Sequence, residues 1–257
     1  MPPRIPTEAD FAHLSQSSLP LALHFPSPPE STVAILILLH GLGDSEIPFQ
    51  AFARNLSLPG VLAISVRGTS PLPPSLLPDE DGKPHAHWGD DINMDAGTGE
   101  LDEDPGFGRA AGKVMGELVA ETLVGKLGWE WSDVMIFGFG QGGTLALGIA
   151  AKLHAGEKIA DVTEGSSSKP VARACKGIVS IGGPLPRSMV STVSSRSRSR
   201  TSVLVCQLEA EQAAAAKREF EDVRVVNWKR RVVAMPRDRE EVFPIMKFFA
   251  DRLNSGW

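Results

Sequence analysis

Residues 134–143 constrain the fold of this chain more than any other stretch. The apolar run Val134-Met135-Ile136-Phe137 leads directly into Gly138-Phe139-Gly140-Gln141-Gly142-Gly143. A helix-forming segment, Thr144-Leu145-Ala146-Leu147-Gly148-Ile149-Ala150-Ala151-Lys152-Leu153, follows. A buried strand, a tight turn and a helix in that order are the context of a G-x-S-x-G elbow, in which a strained backbone lifts the central side chain above the sheet. Glycine holds the central position here, so Gly140 keeps the turn and brings no hydroxyl. The same glycines fit G-x-G-x-x-G, which seats a phosphate on a helix N-terminus. That alternative requires an acidic residue about 20 positions on, at the end of a second strand. Glu157 and Asp161 fall there, but 154–158 reads as a helix end, so the dinucleotide alternative is the weaker fit.

Upstream, Val33 to Leu39 is a continuous apolar run of strand length, suited to a parallel strand buried on both faces. It ends in His40-Gly41-Leu42-Gly43-Asp44-Ser45. HGLGDS together with the glycine-substituted elbow resembles the phospholipase/carboxylesterase family of α/β-hydrolases, which includes the acyl-protein thioesterases. Trp88-Gly89-Asp90-Asp91 and Ile178-Val179-Ser180-Ile181-Gly182-Gly183-Pro184-Leu185-Pro186 are similar to two further segments of that family, and the resemblance spans residues 20 to 253. It implies an α/β-hydrolase fold: a mostly parallel central sheet with helices on both faces.

The resemblance also implies roles for particular residues. Backbone N–H groups of Leu42 and Gln141 would form an oxyanion hole. His40, Gly41 and Trp88 would complete the ligand pocket, with a fully buried tryptophan as the alternative for Trp88. The acid of the triad would stand at Glu211, in Gln207-Leu208-Glu209-Ala210-Glu211, although an acidic first helical turn explains the same carboxylates. The base is missing. The chain has histidines at 13, 24, 40, 85, 87 and 154 only, whereas the family places its catalytic histidine after the last strand, within Ala234-Met235-Pro236-Arg237-Asp238 here. Loss of both nucleophile and base predicts a catalytically degenerate protein that binds an acyl-type small molecule or a protein partner. The alternative is an active carboxylic ester or thioester hydrolase using rearranged groups. A third reading places a metal on His85, His87, Asp90 and Asp91, whose side chains are of ligand type but whose spacing fixes no complete set. No cofactor is expected.

Composition fits one domain. Apolar residues make up 42% and charged residues 22%, ordinary values for a globule with a large core. The expected organisation is an N-terminal extension over 1–20, a single domain over 21–253 with loop insertions near 161–170 and 187–200, and a tail over 254–257. Strands are predicted at 21–25, 33–39, 61–66, 134–137, 177–181, 202–206 and 223–228. Helices are predicted at 49–55, 109–126, 144–154, 213–220 and 240–253. A net charge of −5 argues against nucleic acid as the partner. No apolar run is long enough to span a membrane, and no hydrophobic signal core opens the chain, so a cytoplasmic location is expected. Cys175 and Cys206 read as free buried thiols. The tract Ser194-Ser195-Arg196-Ser197-Arg198-Ser199-Arg200 reads as a solvated loop, with binding of an acidic partner or phosphorylation as the alternative. Acidic loops are expected at 79–83 and 97–106. The family resemblance adds a homodimer to the expected partners.

Overall fold

A computed structural model describes residues 3–16, 19–73, 76, 84–92, 97, 101–163, 173–191, 197–230 and 232–255, with only the backbone described over 155–163. The acidic stretch 79–83, the insertion 164–170 and residues 194–196 of the Ser/Arg tract lie outside the described residues.

The apolar runs become the sheet. Strands β1 (Leu21–His24), β2 (Ala34–Leu39), β3 (Val61–Val66), β6 (Val134–Phe139), β7 (Gly177–Ile181), β8 (Val203–Cys206) and β9 (Val223–Val226) form a seven-stranded sheet in the order β1-β3-β2-β6-β7-β8-β9. Every pairing is parallel except that of β1 with β3. Each of the six β2 residues is buried, because helices cover both faces of a parallel sheet. Ile35, Ile37 and Leu39 point to one core, and Ala34, Leu36 and Leu38 to the other. Burying each of the larger side chains contributes about 1.5–3 kcal/mol.

Helices α1 (Glu8–Gln16), α3 (Gly108–Ala111, continued by Gly112–Lys126), α4 (Gln141–Thr163) and α5 (Ala210–Glu219) supply the first core. Helices α2 (Glu46–Leu56) and α6 (Arg239–Asn254) supply the second. A two-stranded hairpin, β4 (Ser70–Pro71) with β5 (Ala86–His87), stands beside the sheet. The continuation of α3 has a widened turn, with the Leu127 N–H donating to the Thr122 carbonyl at 3.1 Å, five residues back.

Three expectations change. The stretch 1–20 is more than an extension, because Phe11, Leu14 and Leu19 are buried in the first core. Helix α4 runs through 154–158 to Thr163 instead of ending there, since Ala155, Lys158, Ile159 and Ala160 are compatible with helix and one glycine does not stop it. The described end of the Ser/Arg tract is not a free loop. Ser199 is buried, bridges to Phe220 and donates its N–H to the Glu219 carbonyl at 2.8 Å. Among the described residues, no helix is long and apolar enough to cross a membrane.

Candidate functional site

The C-terminal ends of β2, β6 and β7 meet at the elbow. Gly140 has φ +50°, the left-handed region in which a non-glycine residue is strained. Its N–H donates to the Ile181 carbonyl at 2.8 Å, and its own carbonyl accepts from the Thr144 N–H at 3.0 Å. These bonds tie the turn to β7 on one side and α4 on the other. The neighbouring glycines are required by space: a Cβ on Gly138 would collide with the Gly142 carbonyl, and a Cβ on Gly142 with the carbonyls of Leu39 and His40. At Gly140 a Cβ would meet nothing closer than the Gly41 Cα, 3.9 Å away. The position has room for a side chain and lacks one.

A cavity of about 220 Å³ opens at this turn, with Leu42, Gly140, Gln141, Thr144 and Gly182 on its wall. Gln141 begins α4, so its N–H belongs to the first helical turn and has no carbonyl one turn back to bond. Neither the Leu42 nor the Gln141 N–H donates to another described residue. Leu42 and Gln141, the residues expected to supply oxyanion donors, therefore share one cavity wall with Gly140. Ile92, Leu101, Pro105 and Pro184 make part of the wall apolar, while Asp91, Asp102 and Glu103 make part of it acidic.

His40 and Trp88 support this cavity from behind. Trp88 is fully buried and does not line it; its indole N–H donates to the His40 carbonyl at 2.8 Å. The Gln141 Oε1 accepts from the Trp88 backbone N–H at 2.8 Å, fixing the first residue of α4 to the loop after β5. His40 Nδ1 donates to the Gly41 carbonyl at 2.7 Å, and its Nε2 accepts from the Gly68 N–H at 2.8 Å. This pairing requires the neutral ring, and burial holds its pKa below the usual histidine value. Unfolding therefore takes up a proton as pH falls below the unfolded value of about 6.5. The expected result is a Tm that declines from pH 7 toward pH 5. His40→Gln should flatten that decline, as thermal melts across the range would show.

Two of the four residues considered for a metal hold other partners. Asp90 caps α3, its two carboxylate oxygens accepting from the N–H groups of Gly108 at 2.7 Å and Arg109 at 2.9 Å. His85 Nδ1 donates to the Gly43 carbonyl at 2.6 Å. His87 is buried, with burial and then the Arg109 charge lowering its pKa. Among the described residues no group of three metal-ligating side chains converges. Asp91 is on the cavity wall without those partners.

One residue upstream of the expected base position, a side chain packs against a residue of the cavity wall. Val233 packs directly on Gly182, a wall residue. Gln207 holds this segment by both ends of its amide, donating to the Val232 carbonyl at 3.0 Å and accepting from the Ala234 N–H at 3.2 Å. Sequence reasoning missed this clamp, although a polar residue directly after a parallel strand was the available signal. Glu211 is exposed in the first turn of α5 and lines a second cavity of about 700 Å³, which shares Asp102, Glu103 and Pro184 with the first. None of the six histidines of the chain lines the elbow cavity.

Comparison with known proteins agrees with this architecture. An "Uncharacterized hydrolase" of Schizosaccharomyces pombe is 33% identical over 158 residues, covering 60% of this chain and 55% of the relative. Another of Mycosarcoma maydis is 34% identical over 152 residues, covering 53% and 54%. The chain thus spans about half the length of the curated relatives it matches. Among solved structures, maize acyl-protein thioesterase 2 superposes with a TM-score of 0.58 at 20% identity, covering 91% of this chain and 99% of that one. The Bacillus cereus carboxylesterase gives 0.59 at 15% identity, covering 96% and 100%. These two show the shared fold. The phospholipase/carboxylesterase family profile matches residues 24–182, which take in both the HGLGDS loop and the elbow, and the chain belongs to that family.

Proposed function

We propose that this family member binds an uncharged acyl compound, such as a carboxylic ester, at the elbow cavity and releases it unchanged. The observation that supports this most is the pairing of an assembled elbow with an empty nucleophile position. Leu42 and Gln141, whose N–H groups donate to no described residue, line the cavity, Gly140 supplies no side-chain oxygen, and no histidine lines the wall. Backbone donors of this kind hold a carbonyl oxygen without needing a triad. The apolar wall of Ile92, Leu101, Pro105 and Pro184 accepts the acyl chain, and the carboxylates of Asp91, Asp102 and Glu103 disfavour an anionic ligand.

Methyl octanoate tests the reading. Calorimetric titration should give a Kd of roughly 0.1–1 mM, with the ester recovered intact after prolonged incubation. Leu101→Asp should weaken binding about tenfold by removing apolar wall area. Saturable hydrolysis by the wild type that disappears in His87→Ala would overturn the proposal in favour of a rearranged hydrolase.

A further inference from the structure

A cavity of about 790 Å³ opens at the end of the sheet where β2 and β3 begin and β1 finishes. It shares no wall residue with the elbow cavity. Its floor belongs to the core. Leu36, Val61 and Ala63 lie on the sheet face that α2 covers, Ala53 comes from the helix, and all four are buried. Alanine in both layers leaves space that larger side chains would fill. The space stays open to the surface because β1 is the edge strand and α2 stops at Leu56. The helix ends where Ser57 takes the left-handed conformation, φ +47°, its N–H donating to the Ala53 carbonyl at 3.3 Å. A serine is strained there where a glycine would not be, and it adds a hydroxyl to the cavity wall. Pro26 and Pro59 also line the cavity and fix the backbone at their positions, which reduces the ordering cost of binding.

The charge on this wall is positive. Arg54 and His24 line the cavity, no Asp or Glu does, and neither of the two side chains forms a hydrogen bond or ion pair among the described residues. Glu30, on the turn Pro29–Ser31, is exposed and is not part of the wall. Helix α2 ends at the cavity and brings the negative end of its dipole, about half a charge, which the full charge of Arg54 in its last turn outweighs. The elbow cavity is the reverse, since its charged wall residues are Asp91, Asp102 and Glu103.

We propose that this cavity is a second ligand site that takes a small apolar carboxylate, with the hydrocarbon on Leu36, Ala53, Val61 and Ala63 and the carboxylate on Arg54. The volume falls among those of pockets that enclose small molecules, roughly 300–1,000 Å³. One guanidinium balances one negative charge, and its planar fork matches a carboxylate through two parallel hydrogen bonds. The His24 ring and the Ser57 hydroxyl are further donors. Because the two cavities have no residue in common, the site does not depend on what the elbow cavity binds.

Calorimetric titration of the full chain with sodium octanoate tests the assignment. A Kd of roughly 0.1–1 mM is expected. Octan-1-ol, of the same chain length and uncharged, should bind at least about tenfold more weakly, and Arg54→Glu should weaken octanoate by as much or more. Arg54 is exposed, so its substitution leaves the fold intact. Ala53→Leu, which fills the floor, should weaken octanoate about tenfold. Two further titrations locate the ligand: Leu101→Asp should keep octanoate affinity within about twofold, and Arg54→Glu should do the same for methyl octanoate. Absence of octanoate binding, equal binding of octan-1-ol, or an Arg54→Glu variant that binds octanoate like the wild type would overturn the proposal. So would octanoate binding that Leu101→Asp abolishes, since the carboxylate would then sit in the elbow cavity. A chain that binds octanoate and no methyl octanoate refutes the elbow reading alone, and the reverse refutes this site alone.

Discussion

Gly140→Ser is expected to leave hydrolysis of p-nitrophenyl butyrate at the wild-type level, whereas Gly140→Ser combined with Val233→His is expected to raise it by about 10²-fold or more. A serine at 140 has room, but its hydroxyl remains a weak nucleophile without a general base. In a serine protease, loss of the histidine alone costs about as much as loss of the whole triad, and the oxyanion hole and binding leave roughly 10³–10⁴ over water. Neither the wild type nor the single variant should exceed that residual level. Val233 is chosen for the second change because it already packs on the cavity wall at Gly182, in a segment clamped at both ends by Gln207. A positioned base contributes typically 10²–10⁴-fold. The gain should fall at the lower end, because Glu211 lines the neighbouring cavity instead of this one and so cannot orient the new imidazole. Steady-state rates of the three proteins decide the matter. A hundredfold rise in Gly140→Ser alone would show that a base already stands at the cavity and would end the non-catalytic reading.

The fold was largely legible because its strands carry their own signal. The run Val33 to Leu39 has no polar residue, as a strand between two covered faces requires, and β6 with its glycines specifies strand, turn and helix by sterics alone. Helix α1 was harder to read because only Phe11 and Leu14 mark its buried face, and two large apolar positions in nine residues give little periodicity. The site was legible in part. The positions of Leu42, Gly140 and Gln141 follow from local motifs, and the structure brings them to one cavity. Trp88 illustrates what local pattern does not give. A tryptophan after a polar segment fits a cavity wall as well as a core, and only the distant His40 carbonyl, which accepts its indole N–H, puts it in the core. The convergence of Gln207 with 232–234 likewise joins residues 25 and 27 positions apart, beyond the reach of any periodicity.

Gly142→Ala is expected to destabilise the protein by at least about 4 kcal/mol, near the limit of what a domain of ordinary stability survives. Gly140→Ala should cost only about 1–2 kcal/mol. The two substitutions add the same methyl group two residues apart, so they isolate the cause. At Gly142 the new Cβ runs into the carbonyls of Leu39 and His40, backbone atoms at the end of β2 that retreat only if the strand shifts. At Gly140 the nearest atom, the Gly41 Cα at 3.9 Å, lies at ordinary contact distance, and the cost is that of the φ of +50° alone. For a chain of this length the difference corresponds to roughly 5–12 °C in Tm, readable by calorimetry. Equal costs would mean that the turn is not held against β2 and that the elbow cavity is not a fixed feature. Unequal costs would carry a functional consequence. A chain with glycine at 140 avoids the strain that a serine nucleophile imposes, yet Gly138 and Gly142 still satisfy every steric demand of the turn. What those glycines secure is the approach of α4 to the end of β2, and that approach brings the Gln141 and Leu42 donors to one cavity. Under the proposal that the cavity binds an acyl compound, a chain with glycine at 140 still needs this approach to hold the ligand's carbonyl oxygen.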